Sequence, residues 1–112
     1  MVSGAYNRKK GADFERELVH QFRNVMPGAP VKRGLQCRGA EMADVDMPVF
    51  WPEAKRMKRP NIRKAYEQAV GDCPKGKIPL AITRANHDQA LVTMSLDDFL
   101  DFVGEWWESR DK

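Results

Sequence analysis

Residues 53 to 55, Glu-Ala-Lys, place a carboxylate and an ammonium two positions apart inside the longer run WPEAKRMKRP. Read as a strand, this run has a period of two. Trp51, Glu53, Lys55 and Met57 then share one face, with Phe50, Pro52 and Ala54 on the other, so Glu53 and Lys55 can address one site together. Upstream, Asp44 and Asp46 face the same way as each other if their segment is extended, and a hairpin would bring one of them beside Glu53. Either Asp could instead start the turn. A third acid comes from residues 11 to 26. At 100° per residue and with Glu15 at zero, Leu18, Val19, Phe22, Val25 and Met26 fall at about 300°, 40°, 340°, 280° and 20°. Glu15 thus lies on the apolar stripe, whereas Glu17 and Asp13, at roughly 200° and 160°, lie opposite it. A carboxylate aimed at a core is costly unless something positive meets it there. Taken singly, Glu15 could bend out to water and Glu53–Lys55 could be a surface ion pair. Taken together, convergent carboxylates and a lysine, with no thiolate or imidazole among them, suit a hard cation such as Mg²⁺ or Mn²⁺. Beneath a basic surface such an ion implies phosphodiester chemistry, with Glu53 holding the metal and Lys55 facing the attacking water and the scissile phosphate.

The elements that must position these groups can be read from periodicity and punctuation. Residues 11 to 26 predict a helix that PGAP ends. The first ten residues read as a basic arm. VKRGLQCRGAEMADV is expected to be a loop or short strand leading into a hairpin, DMP its turn and VFWPEAKRM the returning strand. After Pro60 and Asn61, the spacing of Ile62, Ala65, Tyr66, Ala69 and Cys73 predicts a second helix ending near CPKGK. IPLAITR and QALVTM predict two further strands around an ANHD turn. Ser95 can cap a last helix that carries Asp97 and Asp98 in its first turn and Leu96, Phe99, Leu100, Val103 and Trp107 on one stripe. That order predicts an α/β fold: a mixed central sheet flanked by helices.

The chain has 112 residues, the size of a single domain, so any site must share the one core. With 42% hydrophobic and 31% charged residues it has the composition of a folded globular domain. The absence of a signal-like or membrane-length apolar run leads us to expect a cytoplasmic protein with no membrane partner. Cys37 and Cys73 have no Cys or His at zinc-like spacing, so reduced thiols are expected rather than a disulfide or zinc. The net charge of +3 conceals an asymmetry: residues 1 to 64 hold 14 Lys/Arg against 7 Asp/Glu, and residues 65 to 112 hold 5 against 9. The basic half is a candidate surface for a polyanion, or simply a solvated charge run.

KGADFERELV at 10 to 19, ADV at 43 to 45, EAK at 53 to 55 and AYEQA at 65 to 69 occur in an order that resembles the PD-(D/E)xK nuclease superfamily, and within it the small Holliday junction resolvases of archaea and phages. The resemblance extends over roughly residues 9 to 103. It implies a restriction-endonuclease-like core and a Mg²⁺-dependent endodeoxyribonuclease acting on four-way or branched DNA, with Mn²⁺ as a substitute. It further implies that Glu15, Asp44 and Glu53 bind metal, that Lys55 positions or activates water, and that Gln68 supports the site. Ala43 stands where the motif has Pro, and the spacing from Asp44 to Glu53 is short, which leaves Asp46 as the rival ligand. A homodimer is implied as well, because a four-way junction is cut on two opposed strands. Trp106, Trp107 and the last helix could supply its interface, with core packing as the alternative for Trp107. Arg8, Lys9, Lys10, Arg33, Arg38, Arg56, Lys58, Arg59 and Arg63 are the candidate backbone-phosphate contacts. Two other readings stay open: a related nuclease acting on duplex, nicked or single-stranded DNA, and a non-catalytic DNA-binding protein whose carboxylates balance nearby cations.

Overall fold

A helix without proline opens the chain. In the computed structural model, which describes residues 4 to 34 and 42 to 110 with side chains from Lys9 onward, α1 runs over Gly4–Val25. It therefore takes in most of what was expected to be a basic arm. Ala, Arg and Lys are good helix formers, and no proline occurs before Pro27 to stop the helix from reaching back through them. Gly28, at a φ of 86°, then turns the chain.

The strands and remaining helices follow in the expected order: β1 (Lys32–Arg33), β2 (Val45–Asp46), β3 (Phe50–Met57), α2 (Ile62–Asp72), β4 (Ile78–Ala85), β5 (Leu91–Thr93) and α3 (Leu96–Ser109). β1 and β2 form a two-stranded antiparallel sheet, pairing Lys32 with Asp46 and Arg33 with Val45. β3 and β4 are parallel over eight residue pairs, Glu53 opposite Ala81 and Lys55 opposite Thr83, and β5 closes the other edge antiparallel to β4. The result is a compact α/β arrangement of a mixed three-stranded sheet and a two-stranded sheet flanked by helices. The Asp44 amide donates to the Pro52 carbonyl at 3.2 Å, which joins the small sheet to β3. The turn between β2 and β3 places Val49 at a φ of 72°, a costly conformation for a β-branched residue.

The alternation along β3 assigns its two faces to different helices. Ala54 and Ile82 pack with Phe14, Leu18 and Val19 of α1 and with Val31, Val45 and Met47. The other face meets α2, whose Ala65 and Ala69 are buried and small enough to bring the helix close to the sheet. Asn61 starts α2 by accepting from the Lys64 amide at 3.0 Å. Val25, counted on the apolar stripe of α1, lies at its edge and is exposed.

α3 departs most from expectation. Ser95 caps it as predicted, accepting from the Asp98 amide at 3.0 Å, yet none of its residues is buried. Leu96, Phe99, Leu100, Phe102, Val103, Trp106 and Trp107 are 36–68% exposed, so Trp107 is not a core residue. One edge of the stripe touches the body of the domain, where the Phe102 ring lies 6.0 Å from that of Phe50. Among the described residues no helix is long and apolar enough to cross a membrane.

Candidate active site

Glu53 sits in the middle of β3, and its position decides its chemistry. It is 5% exposed, beneath α2 and two residues from the buried Trp51. Only one side of β3 is fully paired; on the side toward β2, the amide of Ala54 donates to Asp44 Oδ2 at 2.8 Å. That hydrogen bond fixes the Asp44 carboxylate at the strand edge, close enough for its charge to act on Glu53. Lys55 follows on the same face as Glu53, its Nζ 3.4 Å from Glu53 Oε1 and its side chain more than a third exposed. Thr83, fully buried, lies opposite Lys55 on β4.

Burial is the largest influence on the Glu53 carboxyl, and the negative charge of Asp44 acts in the same direction. The Lys55 ammonium opposes both, and the carboxyl ends up raised to about 7. Glu15, on α1, is raised as well, first by burial and then by the same Asp44 charge, against the pull of Arg33. Asp44 is thus the charge that both glutamates feel. The Arg33 guanidinium holds Glu15 Oε1 through Nε at 3.2 Å and Nη2 at 3.1 Å.

The three carboxylates therefore do not close around one point. Among the described residues, no group of three or more His, Cys, Asp or Glu side chains is gathered as a metal-binding cluster. The physical reason is the strand alternation: α1, which carries Glu15, packs on one face of β3, while Glu53 points to the face covered by α2. Asp44 and Glu53 come together, and Glu15 is held one step away by Arg33. Of the two candidate aspartates, Asp44 is the one beside Glu53. Asp46 faces another groove, 4.0 Å from Lys77 Nζ.

The remaining candidates surround this center unevenly. Gln68, exposed on α2, lines a cleft of about 370 Å³ together with Lys55, Met57, Arg59, Asn61 and Lys64. Arg56 points to the opposite face of β3, toward Lys9 and Lys10. Lys58 is exposed just past the end of the strand, and Arg63 pairs with Glu67 at 3.2 Å on the surface of α2. The side chain of Arg8, and Cys37 and Arg38 entirely, lie outside the described residues. Cys73 is a free thiol. The Arg33–Glu15 fork was not anticipated, since Arg33 read as a phosphate contact; a two-residue strand leaves too little periodicity to tell where it points. In comparisons with known proteins, no family model, no curated protein and no solved structure matches the chain.

A glutamate whose folded pKa is about 7 rather than 4.5 keeps more protons in the folded than in the unfolded chain between those values, so its contribution to stability falls as pH rises from about 4.5 to about 7. Glu53→Gln removes that contribution. The melting temperature of the variant should match the wild type near pH 4, exceed it increasingly up to pH 7 and stay higher by a constant amount above. A difference that does not vary with pH across this window would show that Glu53 ionises normally.

Proposed function

We propose that the protein is a metal-dependent, structure-selective endonuclease that hydrolyses phosphodiesters in four-way or otherwise branched DNA, built on a restriction-endonuclease-like core and acting in the cytoplasm. The observation that carries this reading is the buried Glu53 carboxylate beside Asp44, with the Lys55 ammonium 3.4 Å away. Two acids forced together under a helix are unfavourable for the fold alone, and such arrangements mark functional sites more often than structural ones. The donor set fits Mg²⁺ or Mn²⁺: all the oxygens are hard, and Mg²⁺ is commonly held by only one or two carboxylates together with water and substrate phosphate. Asp44 and Glu53 would hold the ion, while Glu15, engaged by Arg33, stands outside the pair.

Such an ion supplies a lowered pKa for water and offsets the negative charge that builds up on a phosphodiester during attack. The chain contributes the rest. The Ala54 N–H keeps Asp44 oriented, and burial beneath α2 fixes the Glu53 rotamer, so the two carboxylates need no rearrangement to act together. Lys55, partly exposed, presents its ammonium from Glu53 toward the 370 Å³ cleft, where a scissile phosphate and its attacking water would lie. Gln68, Arg59 and Lys64 line that cleft and supply donors to phosphate oxygens without reading sequence.

Given Mg²⁺ and a synthetic four-way junction beside duplex, nicked and single-stranded controls, the protein should make symmetric cuts confined to the junction. Glu53→Ala and Lys55→Ala should each lower cleavage by a factor of at least ~10² while leaving junction binding largely intact. Degradation of every substrate would identify a less selective nuclease, and binding without scission a non-catalytic DNA-binding protein.

Cutting two opposed strands calls for two sites, and the stripe of α3 supports a homodimer. Its apolar side chains, Leu96, Phe99, Leu100, Phe102, Val103, Trp106 and Trp107, are all exposed along one side of the helix, an apolar surface of the kind that marks a protein interface. Its acids, Asp97, Asp98, Asp101, Glu105 and Glu108, occupy the opposite arc and stay in water when the stripe is covered. In sedimentation at micromolar concentration the protein should run as a dimer, and Leu100→Glu with Trp107→Glu as a folded monomer. A monomeric wild type would contradict this interface.

A further inference from the structure

Arg56 follows Lys55 directly, and the alternation of β3 sends its side chain to the face opposite the carboxylate pair. There it lines a cleft of about 300 Å³ with Lys9, Lys10 and Asp13 of α1. The acid there is already engaged, since Asp13 Oδ1 accepts from Arg16 at 3.1 Å. Among the described residues, the buried Arg56 Nε–H has no hydrogen-bond acceptor. A buried donor left unpaired costs free energy, and one belonging to a guanidinium is suited to an anionic oxygen, with which it makes a short, charge-assisted bond.

We propose that this cleft binds a phosphate group of a nucleic-acid backbone, distinct from the phosphate that is cut. Arg56 supplies the fixed planar donor, and Lys9, exposed on α1, adds positive charge beside it. Among the described residues its lining is charged throughout, which suits a backbone phosphate. Lys55 and Arg56 are consecutive and point to opposite faces, so a phosphate gripped at Arg56 does not occupy the carboxylate pair. The inference rests on the nucleic-acid part of the proposed function and not on catalysis.

The test is made without divalent ions, so that failure of cleavage and failure of this site can be told apart. The side-chain Nε–H resonance of Arg56 is followed by ¹⁵N NMR, first with a short DNA duplex and then with inorganic phosphate. The duplex should shift it. In parallel, Arg56→Leu and, as a variant at an exposed position, Lys9→Ala should each reduce the slope of log affinity against log salt concentration by about one unit, the amount expected for one lost phosphate contact. A resonance that the duplex leaves in place, or unchanged slopes in both variants, would overturn the proposal. A shift with inorganic phosphate alone would assign the cleft to a free anion and overturn the backbone reading.

Discussion

Burial of the Glu53 carboxylate next to Asp44 is the constraint around which the rest of the domain is arranged. An ionised carboxylate 5% exposed needs a counter-charge, a proton or a metal ion. Lys55 supplies part of the first, and the elevated proton affinity of Glu53 reveals what it leaves uncompensated. The fold accepts this because β3 is locked on one side by eight pairs with β4 and covered by α2. An uncompensated pair of acids is also a standing attraction for a divalent cation, which removes the repulsion that burial created.

The neighbouring elements serve this arrangement by being small or short. Ala65, Ala69 and Ala81 are all buried, and their size lets α2 lie close over the face that carries Glu53. β2 is only two residues long, which leaves the Ala54 amide for Asp44 rather than for another strand. β3 thereby separates two basic clefts: Lys55, Arg59 and Lys64 on the side of α2, and Arg56, Lys9 and Lys10 on the side of α1.

Much of this was legible in the sequence, for identifiable reasons. The period-two run through Glu53 and Lys55 and the helical spacing of Phe14, Leu18 and Val19 are strong local signals that defined their elements; the spacing also gave the buried face of α1, whereas β3 is buried on both faces from Trp51 to Ala54. Ser95, read as a cap, is one, and α2 begins directly after the Pro60–Asn61 punctuation. Tertiary relations were less legible. Helical geometry placed Glu15 on the apolar side of α1 but gave no sign that Arg33 would claim it, or that α1 would cover the face of β3 away from Glu53. Periodicity also described the stripe of α3 correctly while implying a burial that this chain alone does not provide. An amphipathic pattern states that a face needs covering, not by what.

The central claim, that Asp44 and Glu53 together hold a divalent cation, is tested most directly by titrating the purified protein with Mn²⁺ in a calorimeter at pH 7.5. The account predicts saturable binding by the wild-type chain and its loss in Asp44→Asn and in Glu53→Gln. Binding that survives unchanged in both variants, or a wild-type protein that takes up no ion, would contradict it.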